Sequence, residues 1–389
     1  MIKKSGVIII EGHVQGLSNT RSLGEMGIPV YVVDKSNCIA RYSKYCQKFF
    51  ICPDFIKEEF VEFLINLAIN ENIKDWLLIP SNDHAVFSIS KNKERLLKYY
   101  KIVTPNIRIL DKMYDKLRLL NIAIEHDVPI PVTFKFRSSK DCINDNIKYP
   151  VLTKGRNGLT FFKIFRKKVI LSSNIDELKS NLKFIEKYLS IKDTFTQELI
   201  PFDGKNKTIS FTAFCVSGEI KTYWMGIKIR EHPIRFGTAT LAESIYNNEC
   251  YIQSIKLLKA LDYTGICEVE YLLDPRDSKY KLIEINARTW LWVGLAKVCG
   301  IDYAKILYCY ANNISYRYNE NYKLNVKWFN IFTDLLISLK LFFKKQILLS
   351  QYLKSMKGKK VEAIFDKHDP LPFFILIVLI FYIAKKRIF

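Results

Sequence analysis

The 389-residue chain has only 15 glycines and 12 prolines, too few for collagen-like or Gly/Pro-rich low-complexity architectures. Its five histidines form no H-E-x-x-H arrangement, and its nine cysteines are odd in number, scattered and without a C-x-x-C pair. Neither a zinc site nor a disulfide framework is expected. The first apolar run, Val7 to Ile10, is shorter than the roughly 7 to 15 residues of a secretory h-region, so the body of the chain reads as cytoplasmic with reduced thiols. No internal repeat is present. Acidic residues are also short, 39 Asp and Glu against 60 Lys and Arg, for a net charge of +21. That surplus favours anionic partners: phosphorylated small molecules, anionic lipid or nucleic acid. The 49% hydrophobic content excludes bulk disorder and suits two or three domains.

Residues 6 to 105 alternate short apolar runs with helical pattern. Val7 to Ile10, Pro29 to Asp34 and Trp76 to Pro80 are expected strands, with a helix near 16 to 27. Gly12, Gly16 and Asp34 are spaced as in a dinucleotide fold, but G-x-G-x-x-G is missing, which predicts a Rossmann-like scaffold without NAD. A helix over Leu110 to Glu125 ends at Pro129-Ile-Pro131. A second region of mixed strands and helices runs to about residue 315, with strands expected at Tyr149 to Lys154, Phe195 to Ile200 and Ile209 to Val216, and helices at Asn174 to Leu189 and Asn248 to Leu261.

Gly265 to Arg288 is the most informative stretch. Two alternating runs flank Asp274-Pro-Arg-Asp-Ser278, which predicts an antiparallel hairpin. With the turn centred on residue 277, Glu270 opposes Glu284 and Glu268 opposes Asn286. These four share one face, while Val269, Tyr271, Ile283 and Ile285 pack the other. Opposed carboxylates want a cation between them, and oxygen ligands of this kind suit Mg²⁺ carrying a nucleotide phosphate. Arg288, two residues on, is placed to meet a phosphate or a substrate carboxylate. A nucleotide needs further cations. Lys154 at the end of an expected buried strand, Lys116, and Lys228 and Arg230, alternating on one face of a strand, are the candidates.

These residues carry a resemblance from Gly6 to about Tyr310. The sequence is similar to ATP-grasp enzymes of the carboxylate-amine ligase type, including D-aspartate ligase-like and polysaccharide-biosynthesis-associated members. Gly16 to Asp34 resembles their opening, Asp115-Lys116 through Val128-Pro-Ile-Pro131 their Asp-Lys helix and Pro-x-Pro strand entry, and Glu284-Ile-Asn286-Ala-Arg288 their Glu-x-Asn-x-Arg signature. The resemblance implies a mixed α/β and α+β fold: a Rossmann-like pre-ATP-grasp domain (1–105), a two-subdomain ATP-grasp domain (106–315, with a lid subdomain over about 130–195 and a metal-site subdomain over about 196–315) and a basic, apolar, helical C-terminal segment (316–389). It also implies roles: Lys116 and Lys154 on the ATP phosphates; Gln197, Glu198, Leu199 and Ile200 as an adenine-reading hinge; Asp203 on the ribose; Lys228, Arg230 and Arg288 in catalysis; and Glu270, Glu284 and Asn286 on one or two Mg²⁺, or Mn²⁺. The chain departs from the pattern at Gly155, where many members have Pro, and at Asn157 to Arg166, which is basic where many have a Gly-rich lid.

The implied reaction is ATP-dependent joining of a small-molecule carboxylate to an amine through an acyl phosphate, in cell-envelope polysaccharide or peptidoglycan-related chemistry. The alternative is an inactive membrane-surface scaffold of the same fold. Nucleic acid is not an expected partner: Phe161 to Lys168 is the only nearby basic-aromatic stretch, and it also fits a strand pair of the lid. Residues 320 to 389 hold 13 Lys and Arg against 5 Asp and Glu, and an apolar run of 14 residues, Leu371 to Ala384, precedes Lys385-Lys386-Arg387. That run falls short of the roughly 20 residues of a membrane span. It reads either as a helix on an anionic membrane surface, at the inner face, or as one docked on the protein's own core.

Overall fold

Short apolar runs become parallel strands when both their faces can be covered by helices, and the first domain is built this way. The computed structural model describes residues 5–141, 146–202, 206–233, 237–319 and 321–378. β1 (Val7–Ile10), β2 (Val30–Asp34), β3 (Cys46–Ile51), β4 (Trp76–Pro80) and β5 (Tyr100–Ile102) form one parallel sheet in the order β3-β2-β1-β4-β5. Every residue of β1, β2 and β4 is buried. The strand order reverses between β1 and β4, and the crevice outside their C-terminal ends is where such sheets take ligands. Glu11 follows β1 there, and Ser81 to Asp83 follow β4. The helix expected near 16 to 27 spans Val14–Glu25. Asp34, the residue of the dinucleotide-like spacing, accepts the Gly12 N–H at 2.8 Å; its carboxylate closes the loop after β1.

The single helix expected over Leu110 to Glu125 is two, Ile107–Tyr114 and Lys116–Glu125. Asp115 leaves helical geometry at ψ 90°, and its carboxylate caps the Leu117 and Arg118 N–H groups. The break makes Lys116 the first residue of the second helix.

A four-stranded sheet follows, β6 (Thr133–Phe134), β7 (Val151–Gly155), β8 (Ile170–Ser172) and β9 (Thr194–Glu198), in the order β6-β9-β7-β8. The Phe161 to Lys168 stretch, read as a strand pair, is mostly helix, Gly158–Phe165. Asn157 caps it by accepting from Leu159 and Thr160, and Phe161 and Phe165, four residues apart, meet on one face at 4.7 Å. Phe161 is fully buried, and Phe165 packs on the exposed Phe184 and Tyr188.

The third sheet has seven strands: β10 (Thr208–Val216), β11 (Glu219–His232), β12 (Thr238–Ser244), β13 (Gly265–Asp274), β14 (Lys279–Asn286), β15 (Lys327–Phe329) and β16 (Lys360–Glu362), in the order β14-β13-β10-β11-β12-β15-β16. The helix Asn248–Ala260 covers one face, and Trp224, Trp290 and Trp292 are buried at the other. A Cβ at Gly226 would lie 2.4 Å from both Trp224 and Trp292, so only glycine fits between the indoles.

The C-terminal segment, expected to be helical, also supplies β15 and β16 and so extends this sheet. Asp369 ties it to the first domain through Arg21, Ser43 and the Lys44 N–H, at 2.9, 2.7 and 2.8 Å. The chain is helical over 371–378; the rest of the apolar run and Lys385 to Arg387 lie outside the described residues. Among the described residues, no helix is long and apolar enough to cross a membrane.

Candidate active site

The β13–β14 hairpin pairs as the alternation predicts. Glu270 opposes Glu284, and Glu268 opposes Asn286. The ladder slips between Glu270 and Tyr271, so Tyr271 pairs with Leu282. Ile283, expected in the core, is the extra residue of this bulge and turns into the cleft. Glu268 accepts from Ser210 at 2.8 Å and from Asn286 at 3.3 Å.

The cleft over this face has a volume of about 560 Å³. All three sheets and their loops contribute to its lining. Lys228 on β11 reaches Glu270 at 2.8 Å, a buried ion pair. Lys116 stands 3.7 Å from Glu284, and Lys154 donates to Gln197 Oε1 at 3.0 Å. Arg288 meets Asp83 at 3.0 Å as an ion pair without the alignment of a hydrogen bond.

The electrostatics follow from this crowding. Burial and the adjacent Glu270 push the Glu268 carboxyl well above the usual range. Burial would raise Glu284 too, but Lys116, Lys228, Lys168 and Arg288 outweigh it and hold that carboxyl low. Burial, with the Lys116 charge, brings the Lys154 ammonium down to about 8. For Lys228, burial is overcome by Glu270 and Glu268, which keep it firmly protonated. One face thus carries an ionised Glu284 amid cations that answer a polyanion.

Gln197, Glu198, Leu199 and Ile200, expected to form an adenine-reading hinge, all line the cleft. The N–H groups of Glu198 and Leu199 are committed to the carbonyls of Val132 and Pro150, each at 3.0 Å. Asp203 lies outside the described residues. Arg230 is not brought to the cleft. The β11–β12 ladder is irregular on both sides of Arg230, and its guanidinium instead grips Asp334 at 2.8 and 2.7 Å, with Ser355 and Tyr352 beside it. The alternation that put Lys228 and Arg230 on one face fails at that irregularity.

Among the described residues, no three His, Cys, Asp or Glu side chains form a ready-made metal cluster. Lys228 takes Glu270, and Glu284 faces Lys116. The facing carboxylates and the Asn286 amide are nonetheless the hard oxygen donors that Mg²⁺ uses, and two of the three need release only one ammonium each.

Sequence reasoning missed the first domain's share of the site. Glu11, His13, Gln15, Ser81, Asn82 and Asp83 all line the cleft. Gln15 Oε1 and Asn82 Nδ2 are buried there without a hydrogen-bond partner, and burial, with the charges of Asp34 and Asp83, raises the Glu11 carboxyl to about 7. The available signal was the reversal of strand order, which needs the pairing of β1 with β4. Another cavity of about 580 Å³, lined by Met26, Tyr308 and Arg317 among others, has no carboxylate in its wall among the described residues.

The family profile described as carbamoyl-phosphate synthase L chain, ATP binding domain, matches residues 234–317, which contain the whole acidic hairpin. Over that stretch the chain is similar to the ATP binding domain of carbamoyl-phosphate synthase. It is 26% identical over 264 residues to a D-aspartate ligase of Enterococcus faecium, a match covering 64% of this chain and 62% of that protein. The chain therefore matches less than two thirds of that relative's length. Among solved structures, the fold is similar to N5-carboxyaminoimidazole synthetase from Staphylococcus aureus, with a TM-score of 0.65, 17% identity and coverage of 88% of this chain and 87% of that one. It is also similar to a biotin carboxylase from Campylobacter jejuni in complex with an ATP analogue, with a TM-score of 0.65, 16% identity and coverage of 82% and 74%.

Proposed function

We propose that this protein is an ATP-dependent ligase that joins a carboxylate to an amine. The γ-phosphoryl group passes to a carboxylate oxygen, giving an acyl phosphate and ADP. The amine lone pair then attacks the carbonyl carbon, the C–N bond forms as the C–O bond to phosphate breaks, and the amine proton leaves to solvent. No side-chain nucleophile is required; catalysis rests on positioning and charge neutralisation.

One observation carries this reading: Glu270 faces Glu284 on a hairpin ringed by Lys116, Lys154, Lys228 and Arg288. Glu270, Glu284 and Asn286 would hold one or two Mg²⁺, or Mn²⁺, and the ion when bound offsets phosphate charge. Lys116 and Lys154 would meet the phosphates as the lid closes, and Lys228 would exchange Glu270 for a phosphate oxygen. With the Glu198 and Leu199 amides committed, Ile200 is the hinge amide assigned to adenine. Arg288 would orient the acyl phosphate or the acceptor, and Gln15 and Asn82 offer an unpaired acceptor and donor for the two organic substrates. Similarity to a D-aspartate ligase supports an amino-acid-like substrate. Resemblance to polysaccharide-associated members supports a cell-envelope setting, on the cytoplasmic side.

Calorimetry of ATP binding with and without Mg²⁺, on wild type and Glu284→Ala, tests the proposal. Mg²⁺-dependent binding lost in the variant, followed by ADP release with matched carboxylate and amine pairs, supports it. Absence of binding by folded wild type overturns it.

A further inference from the structure

The helix Ile331–Phe343 is amphipathic in the wrong sense for a helix that only packs on its own protein. Its inward face is largely polar: Asp334 and Ser338 are buried with Ile337, and Asp334 is locked by Arg230 and by Thr240 Oγ1 at 2.9 Å. Its outward face is apolar. Ile331, Leu335, Leu339 and Phe343 recur every fourth residue, with Leu336 beside them, and all five are exposed, Leu336 at 69% and Phe343 at 86%. A ring contact between Phe332 and Phe373, 5.2 Å between centroids, brings up the helical stretch 371–378, whose Leu371, Phe374 and Val378 are likewise exposed. Phe342 against Tyr352 brings up the helix Leu349–Ser355, with exposed Leu349 and Leu353. Such an apolar surface exceeds what scattered exposed residues provide.

Its surroundings are of one sign. Between residues 331 and 360 there are seven lysines, 340, 344, 345, 354, 357, 359 and 360, all exposed. The only acidic residue in that span is Asp334, whose charge is taken by Arg230. An apolar stripe bordered by uncompensated lysines complements a bilayer whose surface is anionic and whose interior takes apolar side chains.

We propose that the helix Ile331–Phe343, held apolar side out by the Arg230–Asp334 pair, seats the protein on an anionic membrane surface. The fatty side chains enter the headgroup boundary and the lysines meet lipid phosphates. The helix packs on β11, the strand that carries Lys228, and on β12, both interior strands of the seven-stranded sheet. This inference does not depend on the ligase chemistry.

The full chain is floated with vesicles of phosphatidylcholine alone and of phosphatidylcholine with about one third phosphatidylglycerol. The expected result is flotation with the anionic vesicles only, weakened at least tenfold by Leu336→Asp with Phe343→Ser and reduced by raising salt to about 0.5 M. Both positions are exposed, and an unchanged melting temperature confirms that the variant folds. As a second readout, Phe343→Trp should show fluorescence quenching by brominated lipid. Wild type that stays unbound overturns the proposal. So does equal binding by the double variant, or a stripe-dependent dimer in solution without vesicle binding.

Discussion

Lys228 Nζ lies 2.8 Å from Glu270 Oε1, inside a sheet face that also carries Glu268. The lysine stands where a divalent cation would otherwise balance the carboxylates. Removing one partner of a buried pair typically costs about 3 kcal/mol or more because the other charge is left uncompensated. Lys228→Met should therefore melt well below wild type in metal-free buffer and recover more of its stability than wild type does when Mg²⁺ is added. Its ATP turnover should fall by about a hundredfold, since the phosphate loses a cation worth roughly 2.7 kcal/mol. Scanning calorimetry with and without Mg²⁺, alongside an ADP-release assay, separates the two effects.

Arg230, two residues along the same strand, should behave in the opposite way. Its guanidinium is buried against Asp334 and is absent from the cleft lining. Arg230→Ala should destabilise the protein by about 3 kcal/mol through the orphaned Asp334. The paired change Arg230→Met with Asp334→Leu should restore most of that loss while ATP affinity stays within about twofold of wild type. Turnover that collapses in the stable double variant would return Arg230 to the catalytic set.

The contrast between these two residues shows how far the sequence could be read. Alternation in a two-stranded hairpin with a turn-rich centre fixes which residues face each other, and it placed Glu270 against Glu284 and Glu268 against Asn286 as the structure does. Alternation fails wherever a bulge adds a residue, and bulges leave no mark in a hydrophobic pattern. Ile283 and Arg230 were both misplaced for that reason. Asp115 illustrates a different limit: a helix-capping residue inside an apolar-periodic run breaks the helix only if tertiary partners such as Arg156 hold it, at 3.1 and 2.5 Å here. Glu11 and Asn82 were invisible because their approach to the hairpin depends on how the first domain sits against the third sheet, which no local pattern encodes.

Arg276, in the hairpin turn, joins the seven-stranded sheet to the end of β9 in the four-stranded one. It donates to Asp274 at 2.9 and 2.7 Å and to Glu198, the last residue of β9, at 2.6 Å. Arg276→Ala frees the end of β9 and should raise KM for ATP about tenfold, equivalent to about 1.4 kcal/mol, with kcat changed much less. Arg276→Lys, which keeps the charge without the fork, should recover part of the loss. A selective fall in kcat would place Arg276 in the chemistry instead.

Glu11 supplies a pH test that does not involve the acidic hairpin. Burial is the main reason its carboxyl is raised to about 7, with Asp34 and Asp83 adding and Arg288 opposing. Because the folded value lies above the unfolded value of about 4.5, the folded chain binds the proton more tightly than the unfolded chain. The stabilisation is fully present below pH 4.5 and is lost as pH rises to about 7. At pH 8 the ionised Glu11 carries a penalty on the order of 3 kcal/mol relative to a neutral group. Gln15 Nε2 donates to Glu11 Oε2 at 2.9 Å, and an amide oxygen can accept that bond. Glu11→Gln should thus melt several degrees above wild type at pH 8, and the gap should close as pH falls toward 5. If the two proteins melt together at both pH values, Glu11 is ionised in the fold and its environment is more polar than the burial of its carboxyl implies.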